Sequence, residues 1–429
     1  MSVRAGSAAL PPELSALVAE NEDPAQWAVG GRVPLAVLAP GSIAEASTAL
    51  RAAGQAGLAV APLGGGTARA QLDPPRRPFV ALLTRKLSGL VEHTAADLTV
   101  VVQAGTTLAA LDAALAAHRQ RLPLTVPAPA RSTVGGLIAA DRSGPLRLGH
   151  GTVRDYLIGI AVLDPAGNLV RAGGRVVKNV AGYDLMKLHA GARGTLGWIV
   201  EAAFKVKPVP DEVAVMSASA TPALAETIRR RLREEQVPAV VLELLTGKGA
   251  GDELVIGLEG VASEIAWQAT AVQAVLAAAG AGAGAQVTGE PARERLRSLA
   301  EFGAEPGGGL VLRAAVLPSR IAELVQRLRA AAPAASLAAG IGTGIVRLFL
   351  RDPATPDIVR RLRSLAADLG GHAVVHAMPP SWEGDVDRFG IEPDPIAVRL
   401  KNCLDPQGLF LPGAYLGLGA EAVAGAPAR

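Results

Sequence analysis

Glycine placed straight after apolar runs constrains this chain more than any other feature. Between Ala61 and Ala70 the sequence reads APLGGGTARA, following GLAVAPL, which reads as a buried strand. Glycine permits positive φ and close backbone approach, at a cost in chain entropy. Successive amides in such a turn can also form a concave nest for an anion. Gly64, Gly65 and Gly66 therefore either cradle an anion or turn a corner. A second cluster, TVGGLIAADRSG, runs from Thr133 to Gly144 and is preceded by VPAPARS. Pro127 and Pro129 hold an extended backbone there, and Gly135–Gly136 admits a close neighbour. In a third, AGARGTLGWIVEAAFKVKP, Gly191, Gly194 and Gly197 separate a helix end from a strand start. Three turns are the plain alternative; the order and spacing of the clusters make it harder to hold.

The remaining sequence divides by texture. Residues 12–27 read as one amphipathic helix. From Arg32 to about Pro210, short β-rich runs mix with helices: GSIAEASTALRAAGQAG is a helix feeding LAVAPL, DLTVVVQAG a strand, and TLAALDAALAAHRQ the helix after it. YLIGIAVLDPAGNLVRAGG reads as a hairpin. Beyond Pro210 the order becomes strand 213–219, helix 222–235, strands 240–245 and 253–259, helix 262–279, strand 285–288. It recurs as strand 309–317, helix 320–332, strands 335–339 and 344–350, helix 356–369, strand 372–377. This repeated β-α-β-β-α-β pattern predicts an antiparallel sheet with helices on one face. The reading is α+β: an N-terminal helical segment (1–31), a glycine-cluster domain (32–210), an α+β cap (211–394) and a tail (395–429).

Composition excludes several functions. A net charge of +3 on 429 residues, with 3% aromatic, argues against a nucleic-acid partner. The longest uncharged stretch, Ile265–Gly289, holds three glutamines and a GAGAGA loop, so no integral membrane segment is expected, and the N-terminus shows no secretory signal. The single cysteine, Cys403, can form no internal disulfide, which suits a reducing compartment.

The motifs PLGGGT, DLTVVVQAGTTLAALDAAL, STVGGLIAADRSG, RDYLIG and KNVAGYDLMKLHAGARGTLG follow one another in an order that resembles the vanillyl-alcohol-oxidase/p-cresol-methylhydroxylase-type FAD-binding superfamily. Within it, GGRVVKNVAGYDLMKLHAGARGTLG is most similar to the FAD-binding E subunit of glycolate oxidase, and LKNCLDPQGLFLPG resembles the ending of the same enzymes. The resemblance implies that Gly64, Gly65, Gly66 and Thr67, with Pro62 before them, wrap the FAD pyrophosphate. It implies that Ala128, Pro129, Thr133, Gly135, Gly136, Ser143 and Gly144 line the ribityl chain and flavin. Gly194, Gly197 and Ile199 would hold the adenine end. No histidine lies between Pro62 and Ala70, where some relatives attach flavin covalently, so non-covalent FAD is expected.

Oxidising a 2-hydroxy acid needs a cation for the carboxylate, a base for the hydroxyl proton and a hydride acceptor. Arg313, mid-strand in VLRAAVLP, either faces solvent or points at a ligand. His150, beside Arg147 and Arg154, is either the base or a hydrogen-bonded structural histidine. Asp184 is placed to cap a short helix, and Lys178 and Asn179 precede it. His372 and His376 are four apart, but Val374–Val375 suggests a strand, and no metal is expected. GAGAGA and GIGTG (Gly340–Gly344) lack the strand–glycine–helix order of a dinucleotide fingerprint and read as connections.

The resemblance implies an FAD-binding subunit of a complex oxidising glycolate to glyoxylate, with a homologous FAD-containing catalytic subunit and an iron–sulfur subunit as partners. One cysteine excludes a cluster held within this chain. A cytoplasmic setting follows, with peripheral contact to the inner membrane through partners left open. The chain lacks the HGDGN.H-like metal motif of the catalytic relatives, and carries Arg193 where they have glutamate in GSEGTLG. A stand-alone FAD oxidoreductase, a sugar-lactone-oxidase-like enzyme and a non-catalytic flavin-fold scaffold stay open as alternatives.

Overall fold

Three larger sheets and a two-stranded pairing of Gln120–Arg121 with Lys207–Pro208 carry the structure, a computed structural model that describes residues 10–174, 183–247, 251–281, 284–304 and 308–417. The first is a small parallel sheet in the order Val37–Leu38, Phe79–Leu83, Ala59–Leu63. Its strands are apolar on both faces because helix Ile43–Gln55 and the second sheet together cover the side of Leu38, Val60, Val80 and Leu82, while Val29, Leu72, Leu411 and Ala414 cover the side of Val37, Ala59, Phe79 and Ala81. Ser42 opens that helix by accepting a hydrogen bond from the Glu45 amide at 3.1 Å. The second sheet is antiparallel, in the order Leu90–Thr94, Thr99–Gln103, Trp198–Lys205, Leu157–Leu163, Leu169–Gly173. Its last two strands form the hairpin expected from the Asp-Pro-Ala-Gly turn.

The third sheet has eight antiparallel strands and contains both β-α-β-β-α-β units. Alternation within each strand sends apolar residues to the helices. Leu310, Leu312 and Ala314 pack with Leu324 and Leu328 of helix Ile321–Ala331, while Val311 and Arg313 face the other way. The opposite face is partly covered by helix Gly289–Ala300, whose Ala292, Leu296 and Leu299 pack on Val213, Val241 and Val255. That helix lies between the two repeats and is absent from the sequence-based reading.

Residues 12–27 do not form one helix. Single turns at Pro12–Ser15 and Pro24–Trp27 flank a stretch in which Val18 bridges Leu38. Pro24 bars its predecessor from helical geometry, and Asp23 caps the following turn through the Ala25 amide at 2.9 Å. The tail forms helix Pro395–Leu404 and then returns to the first sheet, where the Leu411 amide donates to the Val60 carbonyl at 3.1 Å. Among the described residues no helix is long and apolar enough to cross a membrane.

Candidate functional site

A cavity of about 630 Å³ lies between the glycine-rich loops and the part of the eight-stranded sheet's face that helix Gly289–Ala300 leaves uncovered. Alternation puts Arg313, Arg347, His372 and His376 on that face. Arg313 and Arg347 stand directly opposite each other on neighbouring antiparallel strands. Arg347 is engaged: it donates to Glu243 Oε1 at 2.7 Å and to the Leu299 carbonyl at 3.1 Å. Arg313 has no hydrogen-bond or ion-pair partner among the described residues. Burial first, and then the charge of Arg147, lower it to about 10, which still leaves it a cation at neutral pH.

His376 is held neutral. Burial pushes its pKa well below the ordinary value, and Arg193, Arg313, Arg142 and Arg347 add to the effect. It too has no partner among the described residues, so a lone pair is available to accept a proton.

The opposite wall comes from the glycine loops. Asp141 ends helix Val134–Ala140 in the left-handed region, at φ 47°. Burial raises its pKa, against the pull of Arg147, Arg154, Arg313 and Arg193, and its Oδ1 is buried without a partner. Arg142 donates to the Thr67 carbonyl at 2.9 Å, and burial lowers it to about 10. Arg193, at φ 58°, donates to Gln71 Oε1 and lies over the Tyr415 ring at 5.9 Å.

The residues expected at the cofactor distribute unevenly. Thr67, Ala128, Ser143 and Gly144 line the cavity, and the Ser143 hydroxyl is buried without a partner. Gly64, Gly65 and Thr133 line a second cavity of about 730 Å³, with Arg69, Arg85 and Arg131. A Cβ on Gly64 would overlap the Thr133 hydroxyl, and one on Gly65 the Arg131 carbonyl. Close packing of the two loops therefore requires these glycines by itself, and Gly66 turns the chain at φ 70°. Yet the Gly65, Gly66 and Thr67 amides donate to no protein acceptor among the described residues. The amides of Gly135 and Gly136 are occupied, by the Ala104 carbonyl at 2.8 Å and the Thr133 hydroxyl at 3.3 Å. Pro129 accepts from the Ala109 amide at 3.1 Å. Gly194, at φ 75°, packs on Pro62 at the end of the first sheet. Gly197 immediately precedes strand Trp198–Lys205, in which Ile199 is buried and pairs with Val162.

His150 lies elsewhere. Its Nε2 meets Glu259 Oε2 at 2.6 Å, beside Arg121, and so ties the glycine-loop part to the cap sheet outside the cavity. Asp184 is not the cap of helix Met186–His189, which Leu185 precedes; it pairs with Lys187 at 2.5 Å. Lys178 and Asn179 lie outside the described residues. GIGTG is the tight turn of a hairpin, and no metal-ligating group of three residues occurs among the described residues. Sequence reasoning missed Asp141, Arg142 and Arg347. It weighed His376 only as a metal ligand, although its alternation with His372 and Val374 on a strand marks one shared face.

Residues 34–173 match the family model described as FAD binding domain. This part of the chain is an FAD-binding domain. Over 123 residues the chain is 40% identical to glycolate oxidase subunit GlcE of Escherichia coli K12, covering 28% of this chain and 35% of that protein. Over 211 residues it is 31% identical to glycolate oxidase subunit GlcD of Bacillus subtilis, covering 49% of this chain and 45% of that protein. The matches thus span less than half the length of these curated relatives. Among solved structures, alkyldihydroxyacetonephosphate synthase superposes with a TM-score of 0.66 at 17% identity, covering 89% of this chain and 77% of that one, a likeness of fold. The FAD-binding domain fits its cofactor on physical grounds. A diphosphate buried away from water needs fixed donors. The unengaged amides of residues 65–67 and the nearby arginines are donors of that kind, and the Ser143 hydroxyl and Arg142 Nη1 are buried without a protein partner.

Proposed function

We propose that this chain is an FAD-dependent oxidoreductase acting on a small 2-hydroxy acid, as the FAD-binding subunit of an assembly of the glycolate oxidase kind. Glycolate, oxidised to glyoxylate, is the substrate the relatives' names suggest. One observation carries the reading. The cavity has an FAD-binding domain as one wall, and on the other an unpartnered arginine beside a neutral histidine.

FAD, when bound, supplies a hydride acceptor. The chain's own residues supply the rest. Arg313 presents a planar fork that matches a carboxylate. His376, neutral at working pH, takes the hydroxyl proton. The eight-stranded sheet (assigned to a cap over 211–394) keeps bulk water off the site, which strengthens both interactions. We assign the pyrophosphate to Gly64–Thr67, the flavin side to Ala128, Ser143 and Gly144, and the adenine end to Gly194–Ile199, within an FAD-binding domain at 32–210. The partners proposed are a homologous FAD-containing catalytic subunit and an iron–sulfur subunit, because the lone exposed Cys403 cannot hold a cluster.

The test is an anaerobic absorbance spectrum of the full chain, alone and with partner subunits, before and after adding glycolate or another 2-hydroxy acid. Bleaching of the flavin band is expected, and Arg313→Met should keep the flavin while slowing bleaching by about 10-fold to 100-fold, the worth of a charge-assisted hydrogen bond. Bleaching by the isolated chain would favour a stand-alone oxidoreductase. No bleaching in any assembly would overturn the reading.

A further inference from the structure

Two cations in the cavity have nothing to hold. Arg147, on the short helix Arg147–His150, and Arg313, on the cap strand, line it from opposite walls. Neither has a hydrogen-bond or ion-pair partner among the described residues. The other arginines of the lining are engaged: Arg131 by the Gly65 carbonyl, Arg142 by the Thr67 carbonyl, Arg193 by Gln71, and Arg347 by Glu243. Arg147 is also the foremost of the charges that disfavour the protonated form of Arg313, so the two repel. Asp141, the acid nearest both in effect, hydrogen-bonds to neither, and its Oδ1 is buried without a partner. Two like charges that line one cavity and repel are costly unless an anion is placed among them. A substrate with one carboxylate fills one guanidinium fork and leaves the second empty.

We infer that this cavity takes a 2-hydroxy acid bearing a second acidic group, with its two anionic ends divided between Arg313 and Arg147. This rests on the hydroxy-acid reading above and goes beyond it in the substrate's other end. The second group is a carboxylate or a phosphate monoester, since an arginine fork accepts either. Oxidation at C2 would be unchanged: a base of the chain takes the hydroxyl proton, and FAD, when bound, would supply the acceptor for the C2 hydride, leaving a 2-oxo acid.

The experiment is calorimetric titration of the FAD-loaded full chain, kept anaerobic, with glycolate, lactate, both enantiomers of malate, and 3-phosphoglycerate. At least one dianion is expected to bind about 10-fold or more tightly than glycolate. The tighter of malate and phosphoglycerate identifies the second group. Arg147→Gln should abolish that advantage while changing glycolate binding by less than about 2-fold, and Arg147→Lys should restore part of it. Glycolate binding as tightly as every dianion would overturn the inference. So would an Arg147→Gln variant that weakens glycolate and dianion alike. An Arg147-dependent dianion that bleaches no flavin in any assembly would uphold the two-ended site and overturn the oxidoreductase reading instead.

Discussion

Lys401 offers a sharp test of how the tail holds the FAD-binding domain together. The side chain is fully buried. Its Nζ donates to the Thr195 carbonyl at 2.6 Å, the Phe410 carbonyl at 2.9 Å and Asp405 Oδ2 at 2.5 Å. Asp405, also fully buried, accepts the Leu409 and Phe410 amides at 2.8 Å each. Burial lowers the pKa of Lys401, the Asp405 charge and hydrogen bond oppose that, and the Arg77 charge adds to the lowering. Lys401→Met keeps the stem's packing and removes the cation. Breaking one side of a buried pair costs about 3–5 kcal/mol. The two carbonyls that lose a donor are part of that cost. The carboxylate keeps its two amides, which places the expected loss near 4 kcal/mol, within the range for broken buried pairs. Amide hydrogen exchange at Leu409, Phe410 and Leu411 reads this locally, and about 1,000-fold faster exchange is expected at 1.4 kcal/mol per decade. Lys401→Met/Asp405→Asn removes the stranded charge, so the double-mutant cycle should give a coupling of about 1–3 kcal/mol. Exchange within about 3-fold of wild type, or coupling below about 0.5 kcal/mol, would refute the reasoning. Because Thr195 follows Gly194, the single variant should also weaken FAD.

Two further outcomes follow from the same geometry. Burial raises the Glu259 pKa, but hydrogen bonds from Arg121 and His150 outweigh it and hold the group near 2, against an ordinary 4.5. A depressed carboxylate contributes stability above its unfolded pKa and loses it as pH falls through the folded one. Acid unfolding of the wild type should therefore steepen between pH 4.5 and about 2, and Glu259→Gln should flatten that limb and lower stability at pH 7. Gly144→Ala would drive a Cβ into the Thr125 carbonyl at a φ of 68°, and should destabilise by about 1–3 kcal/mol in denaturant titration.

Local rules carried the cap further than the site. Each repeat has strands of alternating apolar residues, and three of the four helices that join them are amphipathic, so local preference and tertiary packing agree and the boundaries lie within a few residues of the expectation. Helix Gly289–Ala300 was missed because its start follows directly on strand Ala285–Thr288, with Gly289 and Pro291 as apparent breakers. Pro291 stands inside the first turn, where a proline's missing amide costs nothing. The N-terminal stretch misled in the opposite sense, since its helical periodicity gave way to Pro24 and to pairing with Leu38. At the site, Arg313 was legible as a charge in an apolar strand. Its neighbours were not, because Asp141, Arg193 and His376 meet only when the sheet closes over the loops. His150 takes the second of its two readings, a hydrogen-bonded histidine, but its partner Glu259, 109 positions away, could not be named from the sequence.

The central claim is that the glycine loops of this chain hold FAD without a covalent bond. The direct measurement is a titration of the flavin-free full chain with FAD, followed by acid release of the bound flavin, in wild type and in Gly65→Asp. Saturable one-to-one binding and complete release on denaturation are expected, with binding lost by about 100-fold or more when a carboxylate is placed against the pyrophosphate and the Arg131 carbonyl. Absence of binding, flavin that stays attached after denaturation, or wild-type affinity in a folded Gly65→Asp variant would contradict the claim.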